Sequence, residues 1–219
     1  MNRAVRWLLD LIYPPRCIIC HRILPSSRTD VCSACLDSLP EYDGADPKVR
    51  FADRCAATFF YRGAFKESFH RFKFGGRKQY AVRYGTWMAG TIRDKLSGKF
   101  DIITWAPVSK KRRRSRGYDQ AELLARRIGA VLDTEVRCCL QKHTDTRPNS
   151  SLTDASARSA NVSGVYEPVD AAGFAGKRVL LIDDIVTTGA TLSECSRVLL
   201  TAGAESVVCA ALAAATKND

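Results

Sequence analysis

Two spacings of apolar residues alternate along most of this chain. Runs such as Val179-Leu180-Leu181-Ile182 are apolar without a break, as expected of a strand covered on both faces, whereas other segments place apolar residues three and four apart, as on one face of a helix. Reading forward, residues 55–61 are β-branched and aromatic enough for a strand, and residues 65–74 and 80–96 carry the helical spacing. Residues 101–106 predict a strand ending at Pro107, followed by a very basic loop and a helix over 119–132. A strand is expected over 136–140, then a mobile polar loop over 142–163, rich in Ser, Thr, Asn and Asp. The last third reads as a strand over 178–182, a helix over 191–201 ending at Gly203, and a final strand over 206–212. Strands alternating with helices predict an α/β fold, a mostly parallel sheet flanked by helices.

The beginning of the chain follows a different pattern. Trp7, Leu8, Leu11 and Ile12 recur at helical spacing and predict a short amphipathic helix packed on the protein; Asp10 interrupts the run and no small-residue cleavage site follows, so no signal peptide is expected. The polar, turn-rich stretch Tyr42-Asp43-Gly44-Ala45-Asp46-Pro47 marks a change of composition, and we place a domain boundary there. Residues 1–44 form a small N-terminal helix and cysteine module, and residues 45–219 the α/β domain.

Within that module Cys17-x-x-Cys20 and Cys32-x-x-Cys35 are separated by eleven residues, a spacing that lets two thiolate-bearing turns converge on a tetrahedral zinc ion. One such pair would leave a redox couple open; two at this spacing favour a structural, zinc-ribbon-like lobe whose metal stands in for the core it is too small to build. His21 and Cys55 are rival ligands, although four cysteines already complete a closed site. The adjacent Cys138 and Cys139 lie in an expected strand, so at most one faces the core, and Cys195 and Cys209 read as inert packing.

Composition narrows the classes. The chain has 219 residues, 46% of them hydrophobic, enough for one α/β core and a small appendage. The longest apolar runs, at 179–182 and 207–215, fall well short of the roughly twenty residues needed to cross a bilayer, so no membrane segment is expected. Nine cysteines without an export signal fit a reducing cytoplasm better than a disulfide scaffold. A net charge of +11 calls for an anionic partner, whether nucleic acid, a pyrophosphate-bearing small molecule or both.

The densest chemistry lies at Asp183-Asp184-Ile185-Val186-Thr187-Thr188-Gly189-Ala190-Thr191, where two acids close a buried strand and a small-residue turn leads into a helix. Ligands of parallel sheets bind beyond the carboxyl ends of strands, and two carboxylates there need donors or cations, for which ribose hydroxyls and magnesium are suited. The turn offers backbone N–H groups at a helix N-terminus, threonine hydroxyls and a glycine free to take positive φ, a combination suited to a phosphate dianion. No lysine follows Gly189, as a nucleoside-triphosphate P-loop requires, and the three spaced glycines of a dinucleotide fingerprint are absent. The blander alternative is acids and threonines that merely cap a helix; their tandem placement directly after an apolar strand favours a sugar-phosphate site.

Lys110-Lys111-Arg112-Arg113-Arg114-Ser115-Arg116 carries six positive charges in seven residues. A pyrophosphate grip, a nucleic-acid patch and a solvated loop all fit it. Position favours anion binding for one or two of these residues, leaving Lys111, Arg112, Arg113 and Arg114 as solvated or nucleic-acid contacts; few aromatic residues interleave the run, so base stacking on it is not indicated. His70 and His143 have no partner evident in sequence and read as surface or packing residues.

The stretch from Val179 to Thr191 resembles the 5-phosphoribosyl 1-pyrophosphate (PRPP) motif of type I phosphoribosyltransferases. With Arg116-Gly117-Tyr118-Asp119-Gln120-Ala121-Glu122-Leu123-Leu124-Ala125, His70-Arg71-Phe72-Lys73-Phe74-Gly75-Gly76, Arg158, Asn161 and the paired cysteines, nearly the whole chain resembles the ComF/GntX family. The resemblance implies a type I phosphoribosyltransferase-like domain in which Asp183 and Asp184 hold the ribose 2′- and 3′-hydroxyls. Thr187, Thr188, Gly189, Ala190 and Thr191 would hold the 5-phosphate, and Val108, Ser109 and Lys110, with Arg116, the pyrophosphate and its magnesium. Asp119 stands where asparagine is common in the RGFNQ signature, and Asn149 where glutamine is common. Two roles are implied: transfer of a phosphoribosyl group with release of pyrophosphate, or a non-catalytic role of the kind associated with DNA uptake in competent bacteria, binding single-stranded DNA or a protein partner. No general base or acceptor stands out, and a homodimer is suggested by the superfamily alone.

Overall fold

A computed structural model describes residues 13–144 and 164–215; the helix expected at Trp7 to Ile12, most of the 142–163 loop, and Asn149, Arg158 and Asn161 lie outside the described residues. In chain order come α1 (Ser33–Leu36), β1 (Arg54–Phe60), α2 (Gly63–Phe74), α3 (Tyr80–Leu96) and β2 (Ile102–Trp105). There follow α4 (Lys110–Arg116), α5 (Gln120–Leu132), β3 (Leu140–Lys142) and β4 (Tyr166–Pro168). The chain continues through α6 (Ala171–Phe174), β5 (Arg178–Val186), α7 (Ala190–Thr201) and β6 (Ser206–Ala214).

Four strands form a parallel sheet in the order β1-β6-β5-β2, and β3 and β4 make a small antiparallel pair. The central strands β5 and β6 are apolar on both faces because helices cover both. Leu180 and Ile182 pack with Phe65 and Phe72 of α2, Tyr84 of α3 and Leu124 of α5, while Val179 and Leu181 pack with Phe174, Leu192 and Leu199 on the other side. The end of β6 reads Ala210-Ala211-Leu212-Ala213-Ala214, all buried, so the layers on either side approach closely. Helices α3 and α5 also run close: a side chain at Gly85 would meet Arg127 Cβ at 2.7 Å.

The cysteine module shares the first of these cores. Ile18, Ile19, Leu24 and Val31 are buried against α2 and α3, and Arg83 of α3 grips Asp30 through Nε at 2.9 and 3.0 Å. Arg71 Nη2 donates to the carbonyls of Ile18 at 3.1 Å and Ile19 at 2.6 Å, and Ser68 Oγ donates to Ile18 O.

Three sequence expectations are corrected. The basic run is a helix, because Ser109 caps its start by accepting from Arg112 N, Gly117 ends it at φ 79°, and Lys and Arg are sound helix formers once Glu122 pairs with Arg113 at 2.9 Å. The strand expected at 136–140 begins only at Leu140; before it Val136 makes an isolated parallel bridge to Ile103, and the Cys139 amide turns to Thr104 Oγ1. Asp183 and Asp184 lie inside β5 rather than beyond it: pairing with β6 continues from Asp183↔Ala211 to Val186↔Ala214, while β2 stops at Trp105 opposite Ile182. The acids therefore sit where β5 loses one neighbour.

Candidate sugar-phosphate site and zinc centre

Side chains alternate along β5, so Asp184 continues the row of Leu180 and Ile182 toward α2. There it meets Lys73, whose Nζ lies 3.0 Å from Asp184 Oδ2 with both side chains mostly covered. Asp183 accepts from the Asp184 amide at 2.7 Å. Burial first, and the negative charge of Asp184 second, raise the Asp183 carboxyl well above the usual carboxylate range, while that amide and Lys73 pull the other way. A carboxylate pair in this setting gains from further donors or a cation.

Past Val186 the chain turns through Thr187, exposed, and Thr188, half-buried, into Gly189 at φ 74°, with Ala190 and Thr191 opening α7. Gly189 is required twice over. Its backbone is left-handed, and a Cβ would lie 2.4 Å from the carbonyl oxygen of Lys48, which packs against this turn. The same segment is tied down by Arg50 N donating to Ser193 Oγ at 2.9 Å.

Across from the turn, β2 leads through Ala106 and Pro107 into Val108, half-buried, Ser109, buried, and Lys110, exposed. Asp119, the departure from the family signature, holds this corner: Oδ2 accepts from Val108 N at 2.9 Å while Oδ1 accepts from Ala121 N at 3.0 Å and Glu122 N at 3.3 Å, capping α5. Burial pushes its carboxyl up to about 6 against the pull of those amides, with Asp184 adding to the push. Arg116 is half-buried, with its Nη1 donating to Gln120 Oε1 at 3.0 Å and its guanidinium 5.0 Å from the exposed Phe74 ring; burial lowers it against the opposite pull of Asp184. Among the rest of the run, Lys111, Arg113 and Arg114 are exposed and Arg112 is half-buried.

The structure thus gathers the acids, the Gly189 turn and the Val108–Lys110 corner around the carboxyl ends of β2 and β5. Lys73, which spacing alone did not single out, joins them; the signal was its place in His70-Arg71-Phe72-Lys73-Phe74-Gly75-Gly76. His143, for which the sequence shows no partner, contacts Gly164 O and Thr144 Oγ1 at 3.1 Å, whereas His70 packs on Phe74.

In the N-terminal module the sulfurs of Cys17, Cys20, Cys32 and Cys35 all lie within 4.8 Å of one another; among the described residues no other group of three or more His, Cys, Asp or Glu side chains is so placed, and neither His21 nor Cys55 joins them. Four thiols in a closed cluster fit zinc. Against the upward push of burial, hydrogen bonds from Arg22, whose Nε lies 3.4 Å from Cys20 Sγ, bring the Cys20 thiol down to about 6, while burial raises Cys35. Outside the cluster Cys139, Cys195 and Cys209 are buried and Cys138 is exposed. Among the described residues no helix is long and apolar enough to cross a membrane.

Two domain families match the chain. Residues 114–218 match the phosphoribosyl transferase domain and residues 8–60 the double zinc ribbon domain. The chain is 31% identical to competence protein ComFC of Streptococcus pneumoniae over 69% of its own length and 64% of that protein's, and 28% identical to ComFC of Bacillus subtilis over 67% and 58%. It therefore spans less than two thirds of either protein. DNA utilization protein YhgH of Salmonella typhimurium is 26% identical over 94% of this chain and 84% of its own. The residues that match the phosphoribosyl transferase domain include β5 and β6 at the centre of the parallel sheet. The chain is thus similar to ComFC and YhgH proteins, with a match to a phosphoribosyl transferase domain behind a match to an N-terminal double zinc ribbon domain.

Proposed function

We propose that the carboxyl end of β5 binds PRPP as its magnesium complex. The observation that carries this reading is the half-buried pair Asp183 and Asp184, held by Lys73 beside a turn that only glycine can make. The carboxylates accept the ribose hydroxyls, Thr187 to Thr191 hold the 5-phosphate at the start of α7, and Val108, Ser109, Lys110 and Arg116 face the pyrophosphate. These oxygen-rich, anionic surroundings fit magnesium, which would offset the charge of the pyrophosphate as it departs. Transfer of the phosphoribosyl group then rests on positioning and charge stabilisation of an oxocarbenium-like transition state.

Millimolar PRPP with magnesium is expected to raise the melting temperature of the wild type and not of Asp183→Asn/Asp184→Asn, since a ligand that binds only the folded state stabilises it by mass action. No shift in the wild type, or an equal shift in the variant, overturns the site. Pyrophosphate release with a panel of amine and base acceptors, compared with the same variant, decides turnover.

A second reading has its own support. The exposed cations of α4 and the competence and DNA utilization names of the relatives favour an accessory role in handling single-stranded DNA, alone or with a competence-protein partner, with PRPP as a regulatory ligand. Nothing in this role requires turnover. We place the chain in the cytoplasm, where its cysteines stay reduced.

A further inference from the structure

The zinc ribbon and the acidic pair are joined by the last turn of one helix. Arg71 and Lys73 are two residues apart on α2, so they project about 200° from each other and only about 3 Å apart along the axis. Arg71 reaches one way, to the Ile18 and Ile19 carbonyls between Cys17 and Cys20; Lys73 reaches the other, to Asp184. Phe72, between them, is fully buried, and its carbonyl accepts from Tyr118 Oη, while the Lys73 carbonyl accepts from Gln120 Nε2 at 3.4 Å. The helix end is therefore clamped by the cysteine turn, the sheet and the start of α5.

Two details show that the clamp is more than incidental packing. Arg71 Nε is buried with no hydrogen-bond partner among the described residues, and leaving a buried donor unpaired is costly. The fold tolerates that cost where it fixes the guanidinium on the cysteine turn. Ser68, one turn earlier on α2, bonds both Ile18 O and Tyr84 Oη, so the same carbonyl is held twice from the same helix.

We propose that α2 couples zinc in the ribbon to sugar-phosphate binding, with Arg71 as the positioning residue. This rests on the PRPP reading above. With the metal held by Cys17 and Cys20, the Ile18 and Ile19 carbonyls are fixed, Arg71 is anchored, and Lys73 is kept against Asp184. The acidic pair then presents a compensated, ordered set of acceptors to the ribose hydroxyls. Loss of metal releases the turn, frees the end of α2 and weakens the Lys73–Asp184 contact. Coupling between two sites is reciprocal, so PRPP must in turn tighten the hold on zinc.

The test uses full-length, zinc-loaded protein. PRPP affinity is measured by calorimetry with magnesium present, and zinc affinity by equilibrium competition with a zinc-selective chelating dye, with and without saturating PRPP. In the wild type PRPP is expected to reduce zinc loss to the dye through at least about a fivefold tighter zinc affinity, the lower end of the range for coupled sites. Arg71→Ala is expected to retain zinc, to bind PRPP several-fold more weakly and to lose the effect of PRPP on zinc affinity, with Arg71→Lys restoring part of it. Arg83→Gln cuts the other anchor of the ribbon, on α3, and is expected to keep the effect. Zinc loss unaffected by PRPP in a wild type that binds it overturns the coupling and leaves the PRPP site standing. A full effect in Arg71→Ala overturns the role of Arg71. Absence of PRPP binding by the zinc-loaded wild type removes the site itself and the coupling with it. Should Arg71→Ala fail to fold, the wild-type and Arg71→Lys measurements decide the question alone.

Discussion

Asp119 holds two pieces of backbone with one carboxylate, the start of α5 and the corner before α4. Its folded pKa of about 6 lies above the ordinary 3.8, so the folded chain binds this proton more tightly than the unfolded chain does. The linkage therefore runs against the fold as pH rises from about 4 to about 6, by up to about 3 kcal/mol at about 1.4 kcal/mol per pKa unit. Melting curves are expected to show the wild type losing stability relative to Asp119→Asn across that window, whatever constant offset the altered contact with Val108 introduces; parallel pH profiles overturn the assignment. Asp183 is shifted in the same direction but is present in both proteins. At this scale the acids, the Gly189 turn and the four clustered cysteines were legible because each is a local pattern. Lys73 was not, since its meeting with Asp184 is made between a helix and a strand far apart in the chain.

Among elements, α4 separates what charge predicts from what caps dictate. Like charges argue against a helix, yet Ser109 and the left-handed Gly117 stand at its ends in the sequence, and Glu122 from α5 supplies the compensation that only the fold can bring near. The sequence pattern ends β5 too early for a related reason: Asp183 and Asp184 look like a terminus, but backbone pairing with β6 carries β5 on to Val186. None of the residues of α4 is buried, so changing them leaves the core untouched. If α4 engages single-stranded DNA, replacing Arg112, Arg113 and Arg114 by alanine is expected to weaken binding while keeping the melting temperature. The plot of log affinity against log salt becomes shallower by about two, at roughly 0.7 per lost phosphate contact. Fluorescence anisotropy over a salt series reads this directly, and an unchanged slope removes α4 from the interface.

For the whole molecule, the ribbon is part of the main core rather than an appendage, because Ile18, Ile19, Leu24 and Val31 are packed in the same cluster as Phe65 and Tyr84. Metal analysis of the purified, reduced protein is expected to find zinc bound by Cys17, Cys20, Cys32 and Cys35. Stripping it should lower the melting temperature of the entire chain in one transition; protein free of metal as purified, or two separate transitions on stripping, speaks against this arrangement. The alanine-rich end of β6 imposes a different rule on the molecule. Ala210, Ala211, Ala213 and Ala214 lie at the centre of a sheet covered on both sides, and Ala211 pairs with Asp183. In a saturation-mutagenesis library this strand should sort its survivors by volume rather than by polarity: glycine and serine retained, leucine and phenylalanine purged. Among diverging relatives its positions would drift only within that narrow size class, a steric clock running beside a chemical site.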